Sequence, residues 1–471
     1  MVRSITLDLD LIDKVLREAE KRGASYVDVR LQEYRYEVLS ADNRVLKTYT
    51  SALKRGLGIR VLVGGYQGYA STSNLSWDNI IVAVEKAVAL AKASRERGAR
   101  IELAETPVVK DKRITPFKKD PFQIDPSEKT RLVLDLNKQA FSYEGVKSAV
   151  TNMGFIYDRR VYASSNGSLI DVTVRMSGLV HMTVAGENGR MERIYDTRSR
   201  VAGYEFIEEY DWSRMVEEVS KLAYEASKAP TPPAGSYTVV LAPDIIGLLL
   251  HEAFGHASEG DGVDAGASVL AGRLNERVAS EHVTIIDEGI VDGGYYYPYD
   301  DEGVEKKKTI VVENGVLKHY LTSRHIAVRL GQEPTGNGRA EDYAYIPLVR
   351  QTNYYMAPRD YRFEEIIEGV KEGIYITAKG AGGGEVNPGT GTFTFGAGAS
   401  WMIRNGELKE MVRGVTLSGM ILETLLEVDA VGRDLEVRTS VFGGCGKGGQ
   451  TVKVGFGGPH VRVRKMVIGG R

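Results

Sequence analysis

Four residues, Pro230-Thr231-Pro232-Pro233, constrain the fold more than any others in the chain. Proline fixes φ and withholds its N–H, so this run forms a stiff connector and not part of a helix or central strand. The sequence on either side must build its own core. The 471 residues allow two or three domains, at roughly 100–200 residues each.

Before the connector, one order of elements occurs twice. Ile12, Val15, Leu16 and Ala19 form an amphipathic stripe that Gly23 can end. Strand-like stretches follow at Tyr26–Glu33, Arg44–Thr50, Gly58–Val63 and Tyr66–Ser71, with a turn at Gly64-Gly65. Ile80, Ile81, Val84, Val88 and Ala91 then predict a second helix. A linker-like stretch, Pro107–Pro126, holds four prolines among charged residues. Beyond it the order recurs. A helix is expected over Lys129–Phe141, then strands near Ser148–Tyr157, Arg160–Ala163, Leu169–Val184 and Glu192–Val201, then a helix near Ile207–Ala226. Asn166-Gly167 marks a hairpin turn.

After the connector an apolar strand, Tyr237–Leu241, leads to a helix opening at Pro243-Asp244, and the remainder is strand-rich with short helices near Ser323–Leu330 and Phe363–Gly369. These patterns predict an α+β fold. Two N-terminal helix–β-meander–helix units, residues 1–106 and 107–230, precede a β-rich C-terminal domain, residues 231–471, that carries the helix at Pro243.

Composition removes several function classes. Lys and Arg number 61 against 63 Asp and Glu, and this near-balance argues against a dedicated nucleic-acid binder. No apolar run reaches the ~18 residues of a membrane span; Ile80–Ala91 is broken by Glu85 and Lys86. Met1–Asp10 has acidic residues where a signal peptide is apolar, and the single cysteine excludes an intrachain disulfide. Both features lead us to expect a cytoplasmic protein.

The sharpest chemical signal is His251-Glu252-Ala253-Phe254-Gly255-His256. Two imidazoles flanking a carboxylate suit a metal that activates water, with Glu252 as base. The spacing is one residue longer than the i, i+4 pair of HExxH. In an α-helix an i, i+5 pair is separated by roughly 140°. One metal can therefore hold both histidines only if the helix bulges, bends or ends near Gly255. The bland alternative is two unrelated helical histidines. Cys445 favours the metal, because Gly443-Gly444-Cys445-Gly446-Lys447-Gly448-Gly449 leaves its sulfur unshielded and Lys447 would favour its thiolate. Two histidines and a cysteine would hold one zinc per chain with a fourth position open. His460 is a further candidate ligand that would close that position.

Other signals are weaker. Gly446-Lys447 fails the phosphate-loop pattern at Val441 and Gly448. Lys306-Lys307-Lys308 reads as a solvated strand edge. Tyr295-Tyr296-Tyr297, near Asp300-Asp301-Glu302, could line a peptide groove or simply pack. His181, His282, His319 and His325 read as structural or surface residues.

The chain also resembles the TldD/PmbA (TldE) family, the so-called modulators of DNA gyrase. The resemblance rests on the His251–His256 motif with Glu259-Gly260-Asp261, on Gly336-Asn337-Gly338-Arg339, and on Gln351-Thr352-Asn353. Gly382–Pro388 with Phe395-Gly396, Val412-Arg413-Gly414 and the Cys445 loop add to it. It implies a zinc metallopeptidase that cuts unstructured peptides as one subunit of a heterodimer. His251, His256 and Cys445 match the family's metal ligands, and Glu252 its catalytic glutamate. The chain thus resembles the metal-bearing subunit, and a TldE/PmbA-like paralogue would be its partner, with a homodimer as the alternative. The chain departs from the family pattern at Ala340, where a second arginine would follow Arg339. Two readings from other classes are a peptide-binding, chaperone-like module with a structural metal, and a scaffold subunit without chemistry.

Overall fold

The structure is a computed structural model that describes residues 9–96, 98–380 and 382–470. Most of the acidic stretch at Met1–Asp10 therefore lies outside the described residues. Helix α1 (Leu9–Lys21) buries Ile12, Val15 and Ala19, the stripe expected from the sequence. Strands β1 (Tyr26–Asp42), β2 (Val45–Val63) and β3 (Tyr66–Thr72) lead to α2 (Trp77–Ala93). After β4 (Lys110–Ile114) come α3 (Pro126–Ala140), strands β5 (Val146–Ser164), β6 (Leu169–Glu187) and β7 (Arg190–Arg200), and helices α4 (Glu205–Glu209) and α5 (Trp212–Lys228).

These strands make one sheet in the order β3-β2-β1-β5-β6-β4, with β7 also paired to β6. The join between the two meanders is β1 against β5, antiparallel from Asp28↔Ser164 to Asp42↔Val150. Helices α1 and α2 cover one core, which includes Val27, Ile59 and Val161. Helices α3 and α5 cover another, around Leu39, Phe155 and Leu179.

The long strands differ from the sequence reading. β2 runs unbroken for 19 residues where two strands were expected, and β5 spans both stretches assigned around Tyr157 and Arg160. Polar residues interrupt the apolar alternation there without ending the strands, because β1 is hydrogen-bonded on both sides along most of its length. Glu37, buried on β1, is paired with the ammonium of Lys129 on α3 at 2.5 Å. The expected helix at Ile207–Ala226 is two helices, and Asp211 caps the second by accepting from the Arg214 N–H. Part of the linker-like stretch is β4, which pairs in parallel with β6.

Beyond the prolines, β8 (Gly235–Leu241) lies between Glu372–Ile376, parallel, and Val461–Gly470, antiparallel. Helix α6 (Pro243–Leu249) follows it. Gly247 sits against the strand Gly455–Gly458 so closely that a Cβ would lie 2.6 Å from the Gly457 backbone. That contact sets α6 against a second sheet, in which Asn353–Met356 pairs with both Gly455–Gly458 and Ile285–Glu288.

The N-terminal sheet meets the C-terminal part through buried ion pairs. Arg60 lies 2.5 Å from both Asp28 and Glu302, and Arg160 bridges Asp158 and Asp301. The acidic run after the tyrosines is thus a docking element. Lys306 corrects the reading of a solvated lysine edge. It is buried and paired with Asp287 at 2.9 Å, while Lys307 and Lys308 are exposed. No helix among the described residues is long and apolar enough to cross a membrane.

Candidate metal centre

Helix α6 does not continue as an α-helix into the histidine motif. Residues Leu250–Gly255 form a π-helical turn, and His256–Ser258 a 3₁₀ turn. A π turn takes one more residue per turn than an α turn, which brings positions five apart to one side. The irregularity required by the His-x₄-His spacing is therefore present where the sequence places it, and the two imidazole rings lie 5.3 Å apart. Gly255 is needed here for closeness. A Cβ on it would lie 2.2 Å from the Gln351 Oε1.

Cys445 reaches the same place from far along the chain. It opens a hairpin, Cys445–Lys447 against Gln450–Val452, whose turn residues Gly448 and Gly449 take φ of 57° and 75°. Its sulfur lies 3.2 Å from His256 Nε2. One ligand atom from each of His251, His256 and Cys445 falls within 4.8 Å of the others. The sulfur is less open than the glycine-rich loop suggests, for Cys445 is buried beside Val452 and Val454.

Glu252 lies next to this trio, its carboxylate 3.9 Å from His256 Nε2 and 36% exposed. His460 is elsewhere. Its ring bonds to Asp434 and the Tyr375 hydroxyl and packs on Phe363. Three other histidines hold structural bonds: His181 is buried between Thr151 and Thr183, and His319 and His325 bond to backbone carbonyls.

A buried layer behind the trio escaped the residue-by-residue reading. Glu259 accepts the Nδ1–H of His256 at 3.0 Å, leaving Nε2 toward the sulfur. Lys447 donates to Glu259 at 2.9 Å and to Asp261 at 2.7 Å. It therefore neutralises the orienting carboxylate and does not act on the thiol directly. Gln351 donates to the His251 carbonyl at 3.0 Å, and the buried Arg350 donates to the Cys445 carbonyl. The only local signal for Glu259 is its position three residues after His256; its cationic partner is 188 residues away.

The electrostatics follow from these contacts. Burial pushes the Cys445 thiol up, but hydrogen bonds from His251 and His256 outweigh it and bring it down to about 5. Burial pushes His256 down, yet Cys445 and Glu259 raise it to about 10. Burial raises Glu259, while His256 and Lys447 prevail and hold it at about 2.

The trio fits a zinc ion in chemistry and spacing. It offers two imidazole nitrogens and a sulfur with thiolate character, the donor types zinc takes at about 2.0–2.3 Å. His251 Nδ1 is buried and has no hydrogen-bond partner among the described residues.

Residues 27–91 match the model of PmbA/TldA metallopeptidase domain 1, residues 119–226 the central domain, and residues 234–470 the C-terminal domain. The chain belongs to the PmbA/TldD metallopeptidase family. Its enzymes are peptide hydrolases. A metalloprotease of Methanothermobacter thermautotrophicus is 36% identical over 464 residues, covering 98% of this chain and 99% of its own. A zinc metalloprotease TldD homologue of Saccharolobus solfataricus is 31% identical, covering 97% and 99%. The fold is similar to that of TldE from Thermococcus kodakarensis, with a TM-score of 0.78, 19% identity and coverage of 98% and 100%. A Thermotoga maritima protein described as a candidate modulator of a DNA gyrase gives 0.80 at 23% identity, covering 98% and 100%.

Proposed function

We propose that the chain is a zinc-dependent metallopeptidase that hydrolyses unfolded peptides, with His251, His256 and Cys445 as metal ligands and Glu252 as the catalytic base. The observation that carries this reading is the meeting of the three ligand atoms at a π turn that also presents Glu252. When bound, zinc supplies a Lewis acid that acidifies water and polarises a scissile carbonyl. Glu252, partly open to solvent, accepts the proton of the attacking water and returns it to the leaving amine. Glu259 fixes the His256 tautomer, and Lys447 keeps Glu259 ionised. A peptide can add to a sheet edge through main-chain bonds, which reads little side-chain information and suits unfolded substrates.

We assign residues 1–106 and 107–230 as N-terminal units and 231–471 as the metallopeptidase domain. The partner in this reading is a TldE/PmbA-like paralogue that helps wall the site against folded proteins, and the location is the cytoplasm. The test is metal analysis of purified chain together with cleavage of an unfolded peptide, alone and with the paralogue. About one zinc per chain, with activity lost to chelator and restored by zinc, is expected. A chain that binds no zinc and cleaves nothing under both conditions overturns the reading.

A further inference from the structure

A cavity of about 500 Å³ lies between the N-terminal sheet and the C-terminal domain. Tyr34, Tyr36 and Tyr297 are among the residues that line it. Gly443 and Gly444, directly before Cys445, also line it, as does Val452, which pairs with Cys445 in the hairpin.

Among the described residues, Arg339 and Lys453 on its lining have no carboxylate partner. Arg339 is buried at 2% exposure and stacks 4.1 Å over the Tyr297 ring. Its terminal nitrogens donate to the carbonyls of Gln351 and Lys453, and its Nε has no partner. Lys453 donates to the carbonyls of Ser440, Val441 and Gly443. The acids of the cavity have partners other than these two cations. Asp158 is held by Arg160 and Gln32, Glu341 accepts from the Thr451 N–H, and Asp342 from the Ala344 N–H.

A buried guanidinium without an anion is costly, and its remaining donors are directional. A planar fork of this kind matches a carboxylate. We propose that this cavity is a substrate subsite that takes a carboxylate, with Arg339 as its anchor. The identity of the ligand as a peptide rests on the peptidase reading. The carboxylate is the C-terminal group of the peptide or an Asp or Glu side chain, and the Tyr-rich wall packs the residues that carry it.

The test measures binding and not turnover. The zinc-loaded Glu252→Gln chain is titrated with four forms of one unstructured peptide: C-terminus free or amidated, each with an internal Glu or Gln. The amidated Gln form should bind at least ~10-fold more weakly than a form bearing the preferred carboxylate. Whether the free terminus or the Glu restores affinity identifies the source. Arg339→Gln should bring the four forms to one affinity. Equal affinity of all four for the chain that keeps Arg339 overturns the proposal, and so does a preference that survives Arg339→Gln. Arg339 also holds two loop carbonyls, so its variant could unfold; the peptide series on the chain that keeps Arg339 then decides alone. Failure of the peptidase reading shows separately, as absence of zinc or of turnover in the parent chain.

Discussion

His256 is gripped on both ring nitrogens, by the Glu259 carboxylate at Nδ1 and the Cys445 sulfur at Nε2. With the thiol brought down to about 5 and the imidazole raised to about 10, this pair retains one proton between those limits when no metal is bound. Zinc must displace that proton. Calorimetry in buffers of different ionisation enthalpy should therefore show about one proton released per zinc at pH 8. Zinc affinity should rise about tenfold per pH unit between about 5 and about 10. A pH-independent affinity in that window would count against the trio as ligands. Glu259→Gln removes the charge that orients His256 and leaves Lys447 without its closest buried partner. Competition with a chromophoric chelator should show zinc affinity lower by ~10–100-fold, in a chain whose circular dichroism matches the parent. Parent-like affinity would reduce Glu259 to a packing role.

The π turn at Leu250–Gly255 ties sequence spacing to geometry. Gly255→Ala would drive a methyl into Gln351 and push that side chain from the His251 carbonyl. We expect ~1–3 kcal/mol of destabilisation, read as a lower melting temperature, and part of the loss should vanish in a chain that also carries Gln351→Ala. Additive effects would show that the two residues do not meet. This element was legible because two ligands five positions apart leave few backbone solutions. The long strands were less so. The first part of β2 carries Lys47, Lys54 and Arg55, which break apolar alternation, and there β1 is its ladder partner. Cys445, His251 and His256 were readable as residue types with metal chemistry. Glu259 with Lys447, Arg350 with the Cys445 carbonyl, and Lys306 with Asp287 were not, because each pairing exists only once distant segments have folded together.

At the scale of the whole molecule, the chain is a continuous N-terminal sheet locked to a β-rich domain by buried charge pairs, with the candidate centre in the latter. Arg60 is central to that lock, and Arg60→Leu would leave Asp28 and Glu302 buried without their guanidinium. We expect ~3–5 kcal/mol of lost stability in denaturant melts; a change within error would mean that the remaining contacts hold the two parts unaided. The central claim is that the assembled site hydrolyses peptides by using Glu252 beside a metal held by His251, His256 and Cys445. The most direct measurement compares parent and Glu252→Gln chains, loaded to the same measured zinc content, in cleaving one unfolded peptide. The account predicts equal zinc and a rate lower by ~10²–10⁴-fold in the variant. Cleavage by Glu252→Gln at the parent rate would contradict it.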